Sequence, residues 1–227
     1  MAESILIFGA SRETGLEVAR ILCGRGESVV AFARPESDLG ELKQLPLHQI
    51  VYGDALDPAA VGKAFAAGRF RAVVCTLGGK RGQVPRPDFE GVKQIVDAAK
   101  TLGTSAPRIV LVTVIGAGDS RAAVAPKVLE VLGEVIRLKT LAENHLIESG
   151  LRYTILRPGG MNDDPASGAA IRTEDHGVMG VITRADLARL VVQCLDDEST
   201  IGRIYHAVDP TITRQAPLQR GEDLPRR

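Results

Sequence analysis

An α/β fold, a doubly wound parallel sheet formed by a single domain, is predicted by three observations. The stretch from Ser4 to Arg34, SILIFGASRETGLEVARILCGRGESVVAFAR, reads as an apolar strand, a glycine-bearing turn, an amphipathic helix and a second strand. Short β-type runs then alternate with helical patterns along the chain, which implies parallel strands joined by right-handed crossovers. Finally, 227 residues suit one domain of this kind, and 44% hydrophobic residues supply the aliphatic runs that a sheet buried on both faces requires.

The elements follow in order. Strands are expected at Ile5–Phe8, Ser28–Phe32, Gln49–Tyr52, Ala72–Thr76, Arg108–Val114, Arg152–Leu156 and Arg203–Ala207. Asp57-Pro58 is an N-cap with proline at the first helical position. Pro126 to Ser149 is the longest helix, weakened at Gly133 and closed by Gly150. Thr183-Arg184-Ala185-Asp186 resembles a capping box, with Asp in the Glu position, ahead of an apolar run through Leu195. The expected domain covers residues 1–209, with a small substrate rim at about 159–182, and from Pro210 to Arg227 the pattern dissolves into a loose polar tail.

Composition narrows the function classes. Lys+Arg 28 against Asp+Glu 28 gives no net charge, and 4% aromatic residues with no Trp leave little to stack on bases, so no nucleic-acid or membrane partner is expected. The expected partner is a small-molecule substrate, and the protein a monomer or homodimer. Cys23, Cys75 and Cys194 are an odd, scattered set in apolar runs and read as small buried hydrophobes of a reducing compartment. No signal-peptide pattern precedes Ser4 and no apolar run approaches the ~20 residues that span a bilayer, so a cytoplasmic location is expected. His48, His145, His176 and His206 lack metal-ligand spacing, and no serine sits in a GxSxG elbow. His176, in the rim segment, reads as a solvated loop residue or a ligand contact.

The chemistry concentrates at the first turn. A turn from Gly9 to Gly15, between a strand and a helix, aims backbone N–H groups and the helix dipole at a pyrophosphate. An acid ending the second strand would serve the ribose hydroxyls of NAD, whereas Arg34 favours the extra phosphate of NADP, with Arg12 as a second cation. The expected cofactor is therefore NADPH. The same residues also fit a helix packed tightly on a strand, with two surface arginines.

Five motifs, FGASRETG, YGDALD at 52–57, CTLGG at 75–79, LVTVIGAGDS at 111–120 and LKTLAENHLIESGLRYTILRPGGM at 138–161, together resemble the atypical short-chain dehydrogenase/reductases. Within that group the chain is most similar to NAD(P)-binding, NmrA-like and biliverdin reductase B (flavin reductase)-like proteins. The resemblance runs from about Ser4 to Ala207 and implies a Rossmann-type sheet. It also implies a cofactor site built from Gly9, Ser11, Arg12, Glu13, Thr14, Gly15, Arg34, Asp54, Ala55, Leu77, Gly78, Gly79, Thr113, Lys139 and Pro158. Thr113 and Lys139 are the implied catalytic pair, the matching lysine bonding the nicotinamide ribose in the family.

Each of these residues has a local reading as well. Asp54 accepts from the adenine amino group with Ala55 on the ring, or is a turn aspartate. Leu77-Gly78-Gly79 lets backbone approach a cofactor, or is an ordinary glycine loop. Thr113, ending a strand, faces the nicotinamide or is structural. Lys139 falls within an apolar stripe made by Val128, Leu132, Val135, Ala142 and Leu146, so it needs a local acceptor unless it snorkels to water.

Departures from the pattern matter equally. The tyrosine that donates a proton in the family's usual site is Val135 here, an absence shared by the biliverdin reductase B-like branch. Glycine is replaced by Arg12 or Glu13 in the turn, where an acid beside a pyrophosphate must point away or pair. Gly160 stands where some flavin reductase-like members carry histidine. These features predict an NADPH-dependent reductase of a conjugated acceptor such as a flavin, quinone or tetrapyrrole-like ring. The alternatives are a non-catalytic NADP(H)-binding redox sensor and, with less support, a nucleotide-sugar epimerase or dehydratase.

Overall fold

The computed structural model describes residues 3–80 and 82–212. Its main sheet runs β3-β2-β1-β4-β5-β6-β10-β8. The strands are β1 (Ser4–Phe8), β2 (Val29–Ala33), β3 (Gln49–Tyr52), β4 (Phe70–Cys75), β5 (Arg108–Val112), β6 (Tyr153–Pro158), β8 (Ile171–Thr173) and β10 (Arg203–Val208). Seven of them are parallel, and β8 closes the edge antiparallel to β10. Chain order reverses between β1 and β4, the switch point at which α/β sheets open a crevice for ligands. All seven expected strands are present, with ends shifted by one or two residues.

Burial explains the run lengths. Every residue of β1, β2 and β5 is buried, because helices cover both faces. On one face α1 (Glu13–Gly24) and α5 (Arg184–Asp196) pack Leu16, Ala19, Leu22, Leu187, Val191 and Leu195 over Ile5, Ile7 and Val74. On the other, α2 (Pro58–Ala66), α3 (Glu90–Lys100) and α4 (Pro126–Glu148) cover Leu6, Phe8, Val73, Ile109 and Ile155. The three cysteines are free and buried, as expected, and burial raises the pKa of each thiol.

The stripe on α4 requires a correction. Its buried residues are Ile136, Lys139, Ala142, Glu143 and Leu146, whereas Val128 and Val135 are half-buried and Leu132 is exposed. The cause is length. Twenty-three helical residues extend about 35 Å, while five or six strand residues cover only roughly 17–20 Å. The first half of α4 therefore overhangs the C-terminal edge of the sheet, where the crevice lies.

The rim at 159–182 has its own architecture. β7 (Gly160–Asn162) and β9 (Val181–Thr183) form a two-stranded parallel sheet, and β8 joins the main sheet. Both predicted caps form: Asp57 accepts from the Ala59 amide, and Thr183 accepts from the Asp186 amide at 3.0 Å. The buried Asp186 carboxylate also takes the amides of Ser167 and Gly168, tying the rim loop to α5. The tail beyond Ile212 lies outside the described residues. No described helix is long and apolar enough to cross a membrane.

The Asp186 carboxylate accepts five hydrogen bonds, counting Thr183 Oγ1 at 2.9 Å, Ser167 Oγ at 3.2 Å and the exposed Arg189 at 3.5 Å. Asp186→Ala strands the other four donors, and each unsatisfied group costs about 1–3 kcal/mol. Urea denaturation is expected to show a loss of at least that size, against about 1 kcal/mol for Thr183→Ala.

Candidate functional site

The site begins at the turn between β1 and α1. Gly9 has φ +90°, and a Cβ there would stand 2.5 Å from Thr76 Oγ1; a Cβ on Gly15 would overlap the Gly9 carbonyl. These contacts seat the first turn of α1 directly on the strand, as the glycine spacing predicted. No side chain caps α1, so its leading amides face the cavity.

Glu13 occupies the first helical position with φ +52°, the one non-glycine residue at positive φ among those described. Its carboxylate lies 3.8 Å from Arg12 on one side and 3.8 Å from Arg184 on the other. The acid in the turn is thus paired, and through Arg184 it links the turn to the rim.

Beyond the turn a cavity of about 490 Å³ follows the C-terminal edge of the sheet, within the size range of ligand sites. Of the residues the sequence nominated, Gly9, Ser11, Arg12, Glu13, Thr14, Gly15, Arg34, Asp54, Ala55, Leu77, Gly78, Gly79, Thr113 and Lys139 line it. Pro158 does not. It is buried as the last residue of β6, its carbonyl accepts from the Ile115 amide at 2.9 Å, and Gly159 and Gly160 reach the cavity instead.

Local roles are now visible. Arg34 is exposed, with Nε 3.4 Å from Glu36. Asp54 makes the turn its residue type suggests, accepting from the Leu56 amide at 3.0 Å, and lines the cavity at the same time. Lys139 does not snorkel: it is 5% exposed, and Nζ donates to the carbonyls of Leu77 at 2.5 Å and Val112 at 3.3 Å. Burial lowers its pKa, with Asp88, at 4.0 Å, acting in the opposite direction.

Among the cavity residues that the sequence reading missed, Asp88 and Arg86 organise a loop. Asp88 is 1% exposed and accepts from the Gly79 amide at 2.8 Å and Arg86 Nε at 2.9 Å. Arg86 in turn donates to the carbonyls of Gly79 and Lys80. Together they pin the 77–80 loop. An acid two residues ahead of α3 is no signal by itself, because its partners come from the preceding strand's loop and only folding brings them together.

Behind Thr113 runs a polar chain that is buried at Glu143 and Arg157 and reaches the surface at Asp119. The Thr113 hydroxyl donates to Glu143 Oε1 at 2.6 Å, and Glu143 receives Arg157 Nε at 3.1 Å and Nη2 at 2.8 Å. Arg157 Nη1 donates to Asp119 at 2.5 Å, and Asp119 meets His176 Nδ1 at 2.8 Å. Burial works against the Arg157 charge, but Glu143 and Asp119 outweigh it and raise its pKa. Burial raises the Asp119 pKa, and the hydrogen bonds from Arg157 and His176 overcome this and lower it to about 2.

His176 is therefore no solvated loop residue. Its Nε2 lies 3.1 Å from the Ile204 carbonyl oxygen, and its ring stacks on His206 at 4.9 Å. The two histidines, distant in sequence, meet because β8 and β10 are paired. Among the described residues no group of His, Cys, Asp and Glu could hold a metal ion.

Replacing Glu13 by glycine tests the strain in the turn. Left-handed backbone costs a side-chain residue about 1–2 kcal/mol, the entropy lost by glycine is about 0.5–1 kcal/mol, and exposed ion pairs contribute under about 1 kcal/mol. Glu13→Gly is expected to raise the melting temperature slightly, and a clear drop would show that the Arg12 and Arg184 contacts outweigh the strain.

Comparison with known proteins agrees with this geometry. The chain is 29% identical to the anaerobillin reductase ChuY of Escherichia coli, with a TM-score of 0.83, over 93% of this chain and 100% of that one. It is 27% identical to the chloroplastic divinyl chlorophyllide a 8-vinyl-reductase of Oryza sativa, over 97% of this chain and 58% of that protein. A short-chain dehydrogenase/reductase of Veillonella parvula, described in complex with NADP, shares the fold with a TM-score of 0.73 at 18% identity, over 93% of this chain and 96% of that one. The family described as NAD(P)H-binding matches residues 9–198, most of the chain, and the protein, with its Rossmann-type sheet, belongs to it.

Proposed function

We propose that the protein is an NADPH-dependent reductase that delivers hydride to a conjugated acceptor, a flavin, quinone or tetrapyrrole-like ring. The observation that carries this reading is Val135. It lines the cavity four residues before Lys139, at the position of the family's usual acid, and has no proton to give. Leu132, Val114 and Met161 also line the cavity, and they suit a flat apolar ring. Conjugated acceptors hold the incoming electron pair by delocalisation and take a proton from water.

The residues fit the cofactor. The uncapped α1 N-terminus and the Gly9–Gly15 approach suit a pyrophosphate, with Arg12 alongside. Arg34 is placed for the 2′-phosphate, and Asp54 with Ala55 for the adenine. Lys139 spends two of its three N–H groups on carbonyls, which leaves one for a ribose hydroxyl. When bound, NADPH supplies the hydride. The chain's own task is to hold two rings face to face, where proximity lowers much of the barrier. The likeness to anaerobillin reductase and to the 8-vinyl-reductase supports a reductase.

The test is NADPH oxidation followed across flavins, quinones and tetrapyrroles. Turnover with at least one class is expected; none, despite NADPH binding, would favour the redox-sensor reading. Arg34→Ala should weaken NADPH binding about tenfold, the loss of one charge-assisted contact, and leave NADH unchanged. Equal loss for both cofactors would remove Arg34 as the phosphate reader.

A further inference from the structure

Thr113 lines the cavity, and the structure fixes the hydrogen-bonding direction of its hydroxyl. Its Oγ1 lies 2.6 Å from Glu143 Oε1, and Glu143 is 1% exposed. Two Arg157 nitrogens, 3.1 and 2.8 Å away, occupy the same carboxylate. Arg157 is itself 2% exposed and held from its far side by Asp119. A carboxylate bound in this way only accepts. The Thr113 proton is consequently directed to Glu143, which leaves lone pairs as the free hydrogen-bonding capacity of this cavity-lining residue.

Gly118 keeps this arrangement compact. It has φ +57°, a Cβ there would collide with Arg157 Nη2, and its amide donates to Thr140 Oγ1 at 2.9 Å. The direction of the Thr113 hydroxyl is thus set by buried, mutually satisfied partners rather than by solvent.

We infer that Thr113 selects acceptor rings carrying an N–H donor of the lactam or imide class, and that Glu143 and Arg157 are the positioning residues that impose this polarity. The inference rests on the reductase reading above and adds the recognition group that reading lacks. A ring carbonyl facing Thr113 would meet lone pairs and be rejected, whereas a ring N–H would be held with its plane along the cavity.

The experiment compares lumiflavin with 3-methyllumiflavin, which lacks the imide N–H, by fluorescence titration of the full chain saturated with NADP⁺. Wild type is expected to bind lumiflavin about tenfold more tightly, the scale of one hydrogen bond within a dry site. Thr113→Val keeps the side-chain shape and should erase the preference, while Thr113→Ser should retain it. Glu143→Gln should also weaken the preference, with its melting curve recorded to establish that it folds. Equal binding by wild type, no binding of either ring, or a preference that survives Thr113→Val would overturn the inference, the last by showing a steric origin. Turnover plays no part in this readout, so failure to oxidise NADPH would count against the reductase activity without altering the binding ratio.

Discussion

The ion pair between Arg157 and Glu143 is the constraint on which the Thr113 end of the cavity depends. It joins β6 to α4, and both side chains are buried: Arg157 is 2% and Glu143 1% exposed. Such a pair adds little net stability over an apolar substitute, but losing one partner strands a charge at a cost of about 3–5 kcal/mol. That is a large part of the 5–15 kcal/mol or so that holds a typical domain together. The pair therefore specifies geometry. Thr113 takes its hydroxyl direction from it, and Asp119, bound to its outer side, brings in His176 and with it the rim.

Much of this was legible in the sequence because it follows from local chemistry. The Gly9–Gly15 turn, the aliphatic strands, the Asp57 and Thr183 caps and the Leu77–Gly79 loop are each specified by residues within a few positions of one another, and the structure places them as read. Lys139 is instructive. Its place among apolar neighbours on one helix face implied a buried ammonium with a nearby acceptor, and it has two.

What the sequence did not disclose depends on distant partners. Asp88 carried no signal of its own in the sequence, because its bonds to Gly79 and Arg86 come from the way the loop between β4 and α3 folds back on itself. His176 and His206 are thirty positions apart and stack only because β8 folds back antiparallel on β10. The overhang of α4 arises from the unequal rise of helix and strand, so Val135 could be named as the missing acid from the pattern, but its place on the cavity wall required the fold. Glu13 shows the reverse: the sequence flagged its charge, and the structure adds a left-handed backbone and two arginine partners.

The account centres on hydride transfer without a protein acid, and isotope effects test that most directly. With NADPH deuterated at the transferred C4 position, kcat/KM for a flavin should fall by a primary isotope effect. The same reaction in deuterated water should show a solvent effect close to one, because no side chain gives up a proton while the hydride moves. A solvent effect as large as the primary one, arising in the same step, would reveal a protein acid and contradict the account.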